Sequence, residues 1–396
     1  MKILEINKFN FLVGGGGAET HFQDLIDLLQ ANGHEVAVFS MRHRHNLSSG
    51  WEKYFVSTVG YSRQYSFWQR LKGTGRIFHS FEAKRKLAEL LDDFHPEIVH
   101  LHNIYHHLSF GILSVIKQRK IPIVMTVHDY ELVSPDREVY DEQIGSQYWK
   151  FLMVKKYSFL QRLLLVVKKY IYSPQRIDRL VDRFVVPSYF LQRILVKAGI
   201  TESKISVRPH FIREIPFDRQ GEEVGNIPYA FYFGRLIPGK GIDQLVAMFR
   251  DLKGGQLYLA GSTQDGYKIP RRDNVVHLGH LSPGEVRRYI RKSALVVSAS
   301  RLPETFGLIG MEALAEGKPF VALASGAYSE LVENGVNGWI CQDTTEMKKV
   351  IEKIFNRELP FDEQAIQAAA KEKYGSEKYL KELLNVFEEA KNGQAN

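Results

Sequence analysis

Residues 300–319 read SRLPETFGLIGMEALAEGKP. The stretch follows a β-branched run at 294–298 and opens a helical pattern near Phe306. It therefore reads as strand, loop and helix, the junction at which open α/β sheets bind ligands. Glu304 lies in the loop, and Glu312 lies eight residues on, in the helix. A carboxylate accepts hydrogen bonds from vicinal hydroxyls, so two of them beside a helix N-terminus can grip two sugars joined by a diphosphate. The N-terminal N–H groups and the positive end of the helix dipole suit the phosphates between. Either acid alone would read as ordinary capping; the whole run points to a ligand.

Outward from this run, short β-branched segments alternate with helical patterns, as in parallel sheets with crossover helices. Strands are expected at 2–6, 35–39, 98–102, 123–128 and 183–186, then at 229–233, 256–260, 275–278, 294–298 and 319–322. Ser282 with Glu285 forms a capping box that opens one helix. The expected class is α/β, with two Rossmann-like, doubly wound domains. The first spans 1–212 and carries an insert at 149–183. A polar linker at 213–226 leads to the second at 227–375, and a last helix at 376–396 is expected to cross back to the first.

Two more strand-to-helix junctions carry chemistry. In Gly234-Arg235-Leu236-Ile237-Pro238-Gly239-Lys240-Gly241, two cations five residues apart flank a Pro-Gly turn that can bring both onto one ligand. A guanidinium binds pyrophosphate as a fork and an ammonium as a point charge. In Gly14-Gly15-Gly16-Gly17-Ala18-Glu19, successive glycines let backbone N–H groups approach a phosphate, or else make a plain tight turn. The nearest dinucleotide fingerprint, Gly15-x-Gly17-x-x-Thr20, lacks its third glycine. The second strand ends on Ser40, Met41 and Arg42, with no acid for a ribose.

The chain has 396 residues, 44% hydrophobic and 25% charged, a globular composition with room for two domains. Its longest apolar runs are too short to span a bilayer. Residues 1–6 carry Glu5 inside their apolar stretch and lack a signal-peptide core, so a cytoplasmic location is expected. The single cysteine, Cys341, excludes an intrachain disulfide and a Cys-based metal site. All of the net charge of +8 sits in residues 1–200, with 27 Lys and Arg against 19 Asp and Glu. That bias suits an anionic acceptor, a membrane surface or nucleic acid, or is a plain solvated face.

From 149 to 177 there is no acid but seven basic residues: Lys150, Lys155, Lys156, Lys168, Lys169, Arg162 and Arg176. With apolar residues between them, they read as basic amphipathic helices on an anionic membrane. The alternative is a helix hairpin packed on the first domain with its cationic stems snorkelling. His100 and His102 share one strand face, with His106 and His107 soon after. No third ligand stands at metal spacing, so a polar strand end is expected. No two aspartates are separated by one residue, so no Asp-x-Asp pair is present to hold a metal.

The run PETFGLIGMEALAEGKP resembles the E-x7-E signature of retaining glycosyltransferase family 4, a GT-B family acting on nucleotide-diphospho-sugars. Gly234-Arg235-Leu236 with Lys240-Gly241 is similar to that family's phosphate-binding segment. Gly16-Gly17-Ala18-Glu19, 98–103 (IVHLHN), Thr126-Val127-His128-Asp129 and 334–338 (NGVNG) fall where the family has similar stretches. The resemblance implies two domains facing a central cleft and transfer of a hexose, with retention, from a nucleoside-diphosphate-sugar. UDP is the expected nucleotide, and a glycan or lipid-linked glycan the acceptor. Neither nucleic acid, metal nor any other cofactor is implied. Glu312 would hold the ribose and Glu304 the donor hydroxyls, under the amides of Phe306, Gly307 and Leu308. Arg235 and Lys240 would neutralise the diphosphate with the amides of Gly16 and Gly17. His128 would face the anomeric region, and Glu19 and His102 the acceptor side. Residues 208–211 (RPHF) and 325–330 (SGAYSE) depart from the family pattern. A sugar-nucleotide 2-epimerase and a non-catalytic sugar-nucleotide or polysaccharide-binding protein are the alternatives; the Arg/Lys segment joined to E-x7-E argues against the first, and the presence of Lys240 and Glu304 against the second.

Overall fold

A computed structural model describes residues 1–10, 16–58, 75–76, 78–136, 147–154, 157–213, 227–263 and 266–393. The expected linker lies outside the described residues except for Arg213, as do Gly14, Gly15, Lys155 and Lys156. The chain forms two compact units, Met1–Arg208 with Tyr379–Asn396, and Pro209–Lys378.

The first unit is a six-stranded parallel sheet in the order β2-β1-β3-β4-β5-β6. Its strands are β1 (Lys2–Ile6), β2 (Glu35–Phe39), β3 (Ile98–Leu101), β4 (Ile123–Thr126), β5 (Arg183–Val186) and β6 (Ile205–Val207). β3 and β4 are buried at every residue, as expected of strands covered on both faces. Helix α1 (Gly17–Ala31) buries Phe22, Leu25, Ile26 and Leu29, the spacing of one helical face. Each such side chain stabilises the fold by about 1.5–3 kcal/mol.

The second unit repeats the plan in the order β12-β11-β10-β7-β8-β9. Its strands are β7 (Tyr229–Phe233), β8 (Gln256–Ala260), β9 (Val275–Gly279), β10 (Leu295–Ser298), β11 (Phe320–Leu323) and β12 (Gly338–Cys341). The Ser282 capping box is present: its hydroxyl accepts from the Glu285 amide at 3.3 Å, and its amide donates to Glu285 Oε2 at 2.7 Å.

Two edge strands escape the sequence pattern. β6 has only three residues, and β12 follows the 334–337 turn as a short GWIC run. β3 and β4 also stop sooner than expected, so His102 and His128 stand just beyond their strands.

The basic insert is corrected in part. Helix α2 (Phe159–Ile171) opens on a Ser158/Gln161 capping box. Lys168 and Lys169, expected to face lipid, are each 2% exposed. Lys168 Nζ lies 2.7 Å from Glu131 Oε1, and Lys169 Nζ donates to the Glu131 carbonyl. What α2 turns outward is apolar: Phe159, Leu160, Leu163, Val167, Tyr170 and Ile171 are exposed on one face.

Lys168→Met removes the cation beside a buried carboxylate and should lower stability by about 3–5 kcal/mol. Urea unfolding checks this; a loss below ~1 kcal/mol, the scale of a surface pair, would contradict the burial of this ion pair.

Candidate functional site

In each unit the chain leaves its first strand for one side of the sheet and later returns to pair on the other. This makes a topological switch point between β1 and β3, and another between β7 and β10, where ligands of open α/β sheets bind. The sequence-predicted residues lie in the loops at these two points.

At the second switch point, the loop after β7 is pressed onto the end of β10. Gly241 adopts φ 72°, and a Cβ there would lie 1.8 Å from the Ala299 carbonyl oxygen, so no side chain fits. The amides of Arg301 and Leu302 donate to the Gly239 carbonyl at 3.0 and 3.2 Å. From the other side, Gly326 (φ 59°) lies flat against the Glu304 backbone, where a Cβ would meet the Glu304 nitrogen at 2.4 Å. The Ala327 amide donates to the Glu304 carbonyl at 2.8 Å. The hydroxyls of Ser300 and Ser325 donate to the Leu302 carbonyl at 3.0 and 2.8 Å. The divergent stretch at 325–330 thus holds the Glu304 loop in place.

The product of these contacts is an ion pair: Lys240 Nζ lies 2.6 Å from Glu304 Oε1, with both side chains less than one-fifth exposed. Helix α3 (Leu308–Ala315) begins just after, with Gly307 as its N-cap and Glu312 half-buried within it. Phe306 is buried, its ring edge-on to His210 at 5.2 Å. The departure at 208–211 therefore supplies packing for the start of α3. Arg235 is exposed on the β7 loop, and its carbonyl accepts from the Tyr232 hydroxyl at 3.1 Å. Burial, and then the Glu304 charge, push Tyr232 and Tyr328 above the usual phenol range, so both keep their protons. Tyr328 lies 2.9 Å from Ser298 Oγ. A cation and a carboxylate held together at a helix N-terminus can receive a diphosphate and sugar hydroxyls.

At the first switch point, Glu5 is missing from the sequence-predicted set yet organises the site. It is fully buried on β1, with Oε1 2.9 Å from His100 Nδ1 and Oε2 2.9 Å from His102 Nε2. The other nitrogens are also engaged: His100 Nε2 lies 2.7 Å from Thr126 Oγ1, and His102 Nδ1 lies 2.9 Å from His128 Nε2. The signal for Glu5 was an acid inside an apolar strand. His102 is fully buried, with both ring nitrogens hydrogen-bonded within the protein. The Glu19 carboxylate lies 3.0 Å from Lys8 Nζ and accepts from the Gly16 amide at 2.9 Å. Gly17 opens α1. His21 on α1 meets Tyr379 Oη at 3.1 Å; Tyr379 lies on helix α4 (Ser376–Asn392), which belongs to this unit from Tyr379 onward.

Glu5, His100 and His102 could hold a metal by geometry, their ligand atoms lying within 4.8 Å of one another. As the residues stand, every ring nitrogen is taken by a protein hydrogen bond. Burial pushes the Glu5 carboxyl up, but the adjacent His100 and hydrogen bonds from both rings bring it down to about 2. Burial, and then the His100 charge, lower His102 to about 4.

These shifts act in one direction. As pH falls from 6.5 towards 4, the unfolded chain protonates His102 before the folded one does; between 4.5 and about 2, the same holds for Glu5. Stability should therefore be full above pH 6.5 and decline below it, Glu5 contributing on the order of 3 kcal/mol. Denaturant titrations from pH 7 to pH 3 check this. Glu5→Gln should be less stable at pH 7 with a shallower acid slope; an unchanged slope would contradict it.

Comparison with known proteins agrees with this geometry. The family described as Glycosyltransferase Family 4 matches residues 15–214, and that described as Glycosyl transferases group 1 matches residues 214–372. An uncharacterized glycosyltransferase of Methanocaldococcus jannaschii is 24% identical over 94% of each chain. The lipopolysaccharide 1,2-N-acetylglucosaminetransferase of Salmonella typhimurium is 26% identical over 48% of this chain and 56% of that protein. Among solved structures, Anabaena HepE in complex with UDP-glucose superposes with a TM-score of 0.65 at 18% identity, covering 98% of this chain and 99% of that one. With both halves matched in order and two switch-point sheets behind them, this chain belongs to glycosyltransferase family 4, with the GT-B fold.

Proposed function

We propose that this glycosyltransferase moves a hexose, with retention, from a UDP-sugar to a glycan or lipid-linked glycan in polysaccharide or glycoconjugate synthesis. The observation that carries the reading is the Lys240–Glu304 pair beside the start of α3. Support for the donor comes from the UDP-glucose complex of Anabaena HepE, and for the acceptor class from the lipopolysaccharide enzyme of Salmonella.

Cleavage of a glycosyl–phosphate bond leaves positive charge on the sugar and negative charge on the diphosphate. Donor binding exchanges partners in the ion pair: Lys240 turns to the diphosphate, and Glu304 to the sugar hydroxyls. Arg235 and the amides of Phe306, Gly307 and Leu308 at the start of α3 share the leaving charge, and preorganised donors of this kind supply a large part of the acceleration. Glu312 holds the ribose and His128 faces the sugar. The acceptor oxygen attacks from the face the diphosphate leaves, and its proton passes to a donor phosphate oxygen. Two carboxylates acting as acid and base are not required, unlike in hydrolases. Cations take the role that Asp-x-Asp enzymes give to a metal.

Nucleoside diphosphate release should therefore depend on acceptor and persist in EDTA. Lys240→Ala and Glu304→Ala should each lower kcat at least ~100-fold, while Glu312→Ala should chiefly raise KM for the donor. Near-normal turnover by Lys240→Ala, or an EDTA loss reversed by magnesium or manganese, would overturn the assignment.

The acceptor reading extends to an anionic membrane through the insert, now by its apolar face. Phe159 and Leu160 are 62% and 63% exposed, Trp149 and Met153 are exposed nearby, and no acid interrupts 149–177. Apolar insertion with flanking cations suits an interfacial helix. Binding to anionic liposomes should weaken with salt and fail in Leu160→Asp/Leu163→Asp. Absence of binding at low salt would favour a soluble acceptor.

A further inference from the structure

Glu5, His102 and His128 form a continuous buried line from the first strand to the ring assigned to the donor sugar. Glu5 reaches His102 at 2.9 Å, and His102 reaches His128 at 2.9 Å. The His102 and His128 rings lie nearly parallel, 18° apart. The direction of each hydrogen bond follows from donor inventory. An ionised carboxylate only accepts, so His102 must donate from Nε2. A neutral imidazole has one donor nitrogen, so Nδ1 of His102 can only accept. The nitrogen facing it, His128 Nε2, must then carry the hydrogen.

We propose that Glu5 and His102 are positioning residues that fix His128 as its Nε2–H tautomer and leave Nδ1 as the accepting nitrogen. His128 would then take a hydrogen bond from a hydroxyl of the transferred sugar rather than donate one to the diphosphate. This last step rests on the proposed place of His128 at the donor; the tautomer does not. Three features support the relay. Glu5 is wholly buried, and each of its carboxylate oxygens lies 2.9 Å from a ring nitrogen. His100 takes the second carboxylate oxygen and prevents Glu5 from rotating away from His102. Strands β1 and β3 pair in register, with Glu5 opposite His100, so the backbone sets the spacing before any side chain moves. Such second-layer control of a histidine tautomer is a familiar way to orient an imidazole.

The test reads the ring directly. Protein labelled with 15N-histidine is examined without substrate at pH 8 by long-range 1H–15N correlation, with His128 assigned by loss of its signals in His128→Gln. The expected pattern is a single Nε2–H tautomer for His128. An Nδ1–H pattern, or two tautomers averaging, overturns the proposal. In Glu5→Gln the amide can donate as well as accept, so His102 can reverse and an Nδ1–H population should appear at His128. A folded Glu5→Gln with an unchanged His128 pattern overturns the role of Glu5. If that variant does not fold, the wild-type tautomer decides alone. Because no substrate is present, a failure here is separate from a failure of the transfer reading.

Discussion

The second unit is arranged around one contact, Lys240 against Glu304 at 2.6 Å. Neither residue could hold the other from a mobile loop, since fixing two long side chains costs more than an exposed pair returns. The backbone removes that cost in advance. Gly241 lets one loop lie on Ala299, Gly326 lets another lie on Glu304, and amides on both sides close the remaining gaps. The pair is the point where two loops from non-adjacent parts of the chain are locked together. Each partner holds the other in place.

The first unit solves a comparable problem with a buried acid. Glu5 would be costly on a central strand without partners. His100 on β3 and His102 just beyond it answer it, and His102 passes the arrangement on to His128. The insert repeats the pattern at the edge, where Lys168 and Lys169 close on Glu131, three residues beyond His128. The loop carrying His128 is thus held from the sheet side by a Glu–His line and from the α2 side by two lysines. Helix α2 has an inner polar face that fixes this loop and an outer apolar face that remains exposed.

Much of this was legible in the sequence because it lies in local pattern. The alternation of β-branched and helical segments located ten of the twelve strands among the described residues. The E-x7-E run and the Arg-Lys loop marked the residues at the β7/β10 switch point. What escaped did so for physical reasons. β6 and β12 are too short to show a period. Lys168 and Lys169 looked like a solvated face because their partner, Glu131, is 37 and 38 residues away. The link of Glu19 to the Gly16 amide and to Lys8 likewise appears only in the folded chain. Glu5 went unassigned because its partners lie 95 and 97 residues on, and spacing along the chain says nothing of pairing across a parallel sheet.

In the proposed reaction Glu304 and Lys240 part on donor binding, Glu304 to the sugar and Lys240 to the diphosphate. Calorimetric titration of UDP and of UDP-glucose into the wild type and Glu304→Gln tests it most directly. The account predicts that UDP binds the variant at least as tightly as the wild type, because Lys240 is no longer neutralised. UDP-glucose should gain no such benefit and should weaken by at least ~10-fold, the scale of a lost hydrogen bond to a charged group. Equal weakening of both ligands would contradict the exchange of partners.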